Sequence, residues 1–187
     1  MANVDNARGL WPIRHQSGAE PLASEYGIKS GYAANIFRGD VVEGVADGTI
    51  EIAEGGNVDN LGVFWGCRYV NAQGEQVISR YWPTGTVATN IVATVYSDPG
   101  IIFGGQADTA AVTDTHLMTD WDDGTGSAVT GISGRELAAS GGATTGKSLR
   151  ILGKINSPDN DWGAYVDLEV QFAEHVLMGV VSGVGGI

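Results

Sequence analysis

From Ala164 to Phe172 apolar and polar residues change places at almost every step. Ala164, Val166, Leu168, Val170 and Phe172 fall on one side, and Tyr165, Asp167, Glu169 and Gln171 on the other. A period of two puts successive side chains on opposite faces of a strand, so this segment predicts a half-buried antiparallel strand. Leu149, Ile151 and Ile155 alternate with Arg150, Leu152 and Lys154 in the same way, and Val63, Trp65, Cys67 and Tyr69 are expected to share one face of Leu61–Val70. Turn chemistry punctuates these runs. Asp47-Gly48 joins Val41–Val45 to Thr49–Ala53, and Asp-Gly between alternating runs is a strong hairpin signal. Asn71-Ala72-Gln73-Gly74 leads into Val77–Trp82, which Pro83 stops. Asp98-Pro99-Gly100 separates Ile91–Tyr96 from Ile101–Gln106 and suits a Pro-then-Gly turn. A short strand is expected around Thr115–Thr119 within long loops spanning Asp108 to Gly146.

Composition agrees. Glycine supplies 29 of 187 residues and charged residues only 17%, so strong helix formers are scarce. No internal repeat of 20–50 residues is visible, which argues against a solenoid or propeller. The expectation is an all-β fold, a compact antiparallel β-barrel or sandwich with an extended N-terminal arm. Residues 1–24 form the arm, 25–177 the β-rich domain, and 178–187 a Gly-rich apolar tail that lies against something or frays. The first 24 residues lack any periodicity, and the choice between barrel and sandwich stays open.

The net charge of −12 sets 22 acidic against 10 basic residues. Nucleic-acid affinity comes from replacing phosphate counterions with Lys and Arg, so nucleic acid is not an expected partner. No run of about 20 apolar residues predicts a membrane span, and the first residues carry no signal-peptide pattern. The chain is expected to fold in a cytoplasm. Cys67 is the single cysteine and reads as a small buried hydrophobe.

Several motifs resemble catalytic ones. Gly141-Gly142-Ala143-Thr144-Thr145-Gly146-Lys147-Ser148 matches the P-loop expression. That motif works only between a buried strand and the N-terminus of a helix, whereas Leu149–Ile155 reads as strand. Asp120-Trp121-Asp122-Asp123-Gly124 resembles a calcium loop, but Gly124 sits where a ligand should be. Pro158-Asp159-Asn160-Asp161 is more naturally a turn. His15, His116 and His175 are widely separated, without zinc-site spacing, and no G-x-S-x-G elbow is present. No catalytic residue, cofactor or metal site is expected, although glycosidase carboxylate pairs can be judged only in three dimensions.

Tryptophan and arginine dominate interface hot spots. Trp11, Trp82, Trp121 and Trp162 lie beside Pro, Asp or Gly at expected loops or strand ends. Trp11 and Arg14, with His15, stand on the arm, where an ordering-on-binding segment carries its anchors. With Trp82 they form the expected partner interface.

The order of short blocks along the chain resembles a family of tailed-bacteriophage head decoration, or capsid cement, proteins. The blocks begin with Arg8-Gly9-Leu10-Trp11-Pro12-Ile13-Arg14-His15, Gly39-Asp40-Val41-Val42, Gly62-Val63-Phe64 and Tyr81-Trp82-Pro83. Val95-Tyr96-Ser97-Asp98-Pro99 with Phe103, and Ser133-Gly134-Arg135-Glu136-Leu137, follow. Leu149-Arg150-Ile151-Leu152-Gly153, Pro158-Asp159-Asn160 and Glu174-His175 complete the series. The resemblance implies a β-rich, non-enzymatic virion protein on the outer capsid surface. Its partners would be the major capsid protein and itself, as a homotrimer at local three-fold positions, clamping neighbouring capsomers. Rival readings are a virion-borne carbohydrate-binding β-module, a Ca²⁺-stabilised tail or fibre component, and an NTPase.

Overall fold

The computed structural model describes residues 3–178, and over them the chain is all β, with strands joined by loops and three single 3₁₀ turns. The first strands are β1 (Leu10–His15), β2 (Ser24–Ile28), β3 (Val41–Gly44), β4 (Thr49–Ile52), β5 (Asn60–Val70), β6 (Gln76–Ser79) and β7 (Thr89–Tyr96). After them come β8 (Ile101–Gln106), β9 (Thr109–Ala110), β10 (Met118–Thr119), β11 (Leu149–Lys154), β12 (Gly163–Ala164) and β13 (Asp167–Phe172). No helix among the described residues is long and apolar enough to cross a membrane.

Five strands close on themselves. β3 pairs with β4, β4 with β2, β2 with β7, β7 with β5, and β5 returns to β3. Only the β2–β4 contact is parallel, and β6 extends outward from β5. Inside this ring lie Ile28, Val42, Ile50, Leu61, Phe64, Cys67, Ala93 and Val95. Trp82 joins the same core through a backbone bridge with Ile36, and its ring meets Tyr69 edge-on at 5.2 Å. An antiparallel open sheet, ordered β1-β8-β13-β11-β10, supplies the second core. Its Ile101, Phe103, Leu149, Ile151, Leu168, Val170 and Phe172 pack with Val41 and Val63 from β3 and β5. The architecture is therefore sandwich-like, with a small closed barrel forming one layer.

Strand β5 departs from its expected alternation. Its register with β3 skips Leu61 and its register with β7 skips Trp65. Each bulge inserts one residue and reverses the facing of those beyond it. Leu61, Phe64 and Cys67 consequently reach the barrel interior at steps of three, while Val63 joins the other core. Trp65 belongs to neither core. Gly62 permits the crossing, because a Cβ there would stand 2.2 Å from the Tyr96 carbonyl oxygen.

The segment expected as an extended arm, residues 1–24, is joined to the open sheet through β1 and runs on into β2 of the expected β-rich domain. Leu10–His15 is an edge strand on β8, with Leu10 buried, and Ser24–Ile28 is a barrel stave. Pro12 lacks an N–H, which an edge strand tolerates, and the register shifts between Pro12 and Arg14. Even Asn3 is tied down, its amide donating to the carbonyls of Asp161 and Ala164. Two expected strands are shorter than read. Tyr165, with φ 58°, divides β12 from β13, and β6 ends at Ser79 before Trp82 turns inward. Of the strand expected around Thr115–Thr119 only Met118–Thr119 forms, as β10, after a turn at Thr115–His116. Of the 178–187 tail, Met178 ends a 3₁₀ turn and the remainder lies outside the described residues.

Candidate interaction surfaces

The expected interface residues divide between surface and core. Trp82 is completely buried and presents nothing to a partner, which corrects its assignment as a contact residue. Its position next to Pro83 gave no hint of this, because the inward turn depends on the bridge to Ile36, 46 residues away by sequence number (82 minus 36). Trp11 and Arg14 lie along the outer face of the open sheet on β1, whereas His15, opposite the core residue Ile101, turns to the other side at the strand's end.

That face is closed upon itself. The Trp11 indole lies directly over Gly104, where a Cβ would stand 2.2 Å from the ring. The Arg8 guanidinium covers the indole from outside at 3.9 Å, a cation–π arrangement, and also pairs with Asp167 at 3.0 Å. Arg14 donates both guanidinium nitrogens to Glu169, at 2.6 and 2.8 Å, and that bond raises the Arg14 pKa. Asp167 and Glu169 point outward because Leu168 and Val170 point in, so the alternation of β13 supplies the acceptors.

His15 accepts the Ser17 N–H at Nδ1 (3.1 Å), leaving Nε2 to donate to Asp98 Oδ1 at 3.3 Å. Ser17 Oγ also stands 2.7 Å from Nδ1. These residues superficially line up like a hydrolase triad. Ser17, however, is an exposed member of the same turn as His15, closed by Gly18 N–H to the His15 carbonyl at 2.9 Å. Asp98 is held by the Gly100 N–H, which leads the causes lowering its pKa.

A second face, on the barrel wall over β5, β6 and β7, was not legible in the sequence. Trp65, displaced outward by its bulge, meets Tyr96 edge-on at 5.4 Å and carries the Arg38 guanidinium over its ring at 3.6 Å. An open groove beside it is lined by Trp65, Arg68, Ile78, Arg80 and Thr94. Burial, followed by the charge of Arg80, depresses the Arg38 pKa. Arg68 pairs with Glu25 at 3.0 Å, but among the described residues neither Arg38 nor Arg80 has a carboxylate within 4.0 Å. Ile78 is 82% exposed and Val129 97% exposed. Val129 belongs to the loop that brings Gly131 against Arg80 and accepts the Arg38 N–H at the Gly131 carbonyl.

The catalytic-looking motifs serve as internal fastenings. Lys147 pairs with Asp120 at 2.9 Å, Ser148 N–H donates to the same carboxylate at 2.9 Å, and Ser148 Oγ donates to the Asn57 carbonyl. The P-loop-like segment then enters β11, as its alternation predicts, without a helix. Asp123 pairs with Arg135, whose guanidinium also donates to the Ala53 carbonyl. Asp40, nearly inaccessible, accepts Ser133 Oγ–H at 2.5 Å and Phe37 N–H at 2.7 Å; its pKa is raised because burial outweighs these bonds. Cys67 lies inside the barrel, its thiol pushed up to about 12 by burial, and so behaves as a hydrophobe.

Comparison of the chain with protein-family models, with curated proteins and with solved structures gives no match.

Proposed function

We propose that this chain is a structural, non-enzymatic virion protein that binds the outer surface of a tailed-phage head. Its partners are the major capsid protein and further copies of itself. The observation that carries the reading is the ordered series of blocks from Arg8 to His175 on which the resemblance rests, several of which are neighbours in the fold. Arg8 reaches Asp167, whose backbone N–H and C=O both bond the Asn160 side chain. His15 meets Asp98, and Gly9 N–H donates to the Arg135 carbonyl. Asp40 binds Ser133, and Trp82 closes the barrel.

The physical requirements of such a role suit the molecule. A cement subunit stabilises the assembled shell by binding it and not its dissociated parts, so affinity converts to shell stability by mass action. An acidic surface avoids the packaged nucleic acid, and an interlocked β-body loses little conformational freedom on binding. Image reconstruction of heads carrying this chain tests the reading. Density outside the shell at a fixed ratio to the major capsid protein is expected; density confined to the tail, or none, would overturn it.

A second reading has one observation in its favour. Trp162 lines an open groove with Thr109, Asp114 and Ser140, a pairing of aromatic and polar groups that suits a sugar ring. Binding on a glycan array that is lost in Trp162→Ala would favour it.

A further inference from the structure

We infer that copies of this chain join through unlike faces, the Arg38–Trp65–Arg80 wall of one copy seating against the Glu43–Glu51 wall of the next. The inference rests on the self-association proposed above and not on the identity of the shell.

Two charge imbalances carry it. Arg38 and Arg80 lie close enough for Arg80 to disfavour the charge on Arg38, with no carboxylate within 4.0 Å of either among the described residues. In a chain with more than twice as many acidic as basic residues, two uncompensated neighbouring arginines are unexpected on a solvated surface. Beside them stand the half-buried ring of Trp65 and the exposed side chain of Ile78. Aromatic and Arg-rich composition with a desolvatable apolar rim is that of an interface centre.

The opposite imbalance lies on β3 and β4. Glu43 and Glu51 are direct cross-strand partners, an arrangement of like charges that destabilises an antiparallel pair. Glu54 and Asp59 add to the same field, and burial followed by these three neighbours raises the Glu43 pKa. The Asn57 amide donates to Glu43, but no Lys or Arg comes within 4.0 Å of Glu43, Glu51, Glu54 or Asp59 among the described residues. Ile52 and Tyr32, partly buried, border this wall and offer it apolar contact.

The two walls sit on different staves of one barrel, so each copy presents both. Contact between unlike faces is heterologous, and leaves one free face of each kind for further copies. Each such contact removes an arginine–arginine and a glutamate–glutamate repulsion at once. That complementarity is why a second copy, and not an unlike acidic protein, is the occupant chosen.

Sedimentation velocity over a concentration series tests this with the full chain. Wild type is expected to associate reversibly. Arg38→Glu with Arg80→Glu, and separately Glu51→Arg with Glu54→Arg, are expected to weaken association by roughly ten-fold or more, in line with like-charge juxtaposition at an interface. Mixing the two variants restores a native contact between the unaltered faces, and a 1:1 complex is expected. Unchanged melting of each variant separates lost contact from lost fold; should either fail to fold, the single changes Arg80→Ala and Glu54→Ala take their place. A wild-type chain that stays monomeric at every concentration overturns the inference. So do variants that associate as tightly as wild type, or a mixture that stays monomeric. Self-association through these faces without any binding to heads would leave the inference standing and remove the virion reading.

Discussion

The outer face of the open sheet and the outer wall of the barrel carry similar residues and satisfy them differently. On the sheet, Arg8 and Trp11 stack, and Arg8 and Arg14 each find a carboxylate on β13. On the wall, Arg38 and Trp65 stack just as closely, but Arg38 and Arg80 find no carboxylate within reach among the described residues. The first face spends its charges inside the molecule, fastening the N-terminal strand to the body. The second keeps its charges available. An arginine–tryptophan pair is thus not by itself a sign of an interface; the location of the nearest carboxylate decides which use it has.

Substitutions can break or sharpen this contrast. Trp82→Ala should have the largest effect, about 3–5 kcal/mol of lost stability, because it empties the barrel core; chemical denaturation would show a shifted midpoint. A loss within the range of surface substitutions would mean that Trp82 is not the plug described. Trp11→Ala should cost about 2 kcal/mol, through uncovered apolar surface over Gly104 and a lost cation–π contact. If Trp11 were instead a free anchor for a partner, its removal would leave the isolated chain's melting temperature unchanged. Arg14→Ala should cost less than about 1 kcal/mol, since its ion pair with Glu169 is partly exposed. Arg80→Ala should alter stability by no more than about 0.5 kcal/mol while weakening association. A stability loss larger than that of Arg14→Ala would erase the distinction between the faces.

Acid sensitivity should come from beneath both faces. His175 is buried against Phe172, accepts the Leu177 N–H at Nδ1, and has its pKa lowered from 6.5 by burial. The folded state therefore favours neutral imidazole, and its contribution is present above pH 6.5 and lost as the pH falls below it. Melting temperatures between pH 7 and pH 5 should decline in wild type and decline less in His175→Phe. Equal slopes would assign the acid sensitivity elsewhere.

The sequence made some of this legible and hid the rest for definite reasons. Period-two alternation identified β11 and β13, and Asp47-Gly48 marked the β3–β4 hairpin, because these signals are local. The β5 bulges were hidden, since Val63, Trp65, Cys67 and Tyr69 keep a perfect alternation that the inserted residues override. β1 was hidden because Pro12 and the polar Arg14 and His15 break its pattern, and its partner strand β8 and the Arg14 acceptor on β13 are remote in sequence. The barrel wall was least legible. Arg38, Trp65 and Arg80 come from three segments, and nothing at any one position indicates that they meet or that their charges stay unpaired.

Hydrogen–deuterium exchange, compared between dilute and concentrated protein, tests most directly that the barrel wall and not the sheet face meets neighbouring copies. Added protection is expected in β6, in residues 127–132 and in the β3–β4 hairpin, with β1, β8 and β13 unchanged. Protection that rises instead along β1 and β13, with the barrel wall indifferent to concentration, would contradict the account.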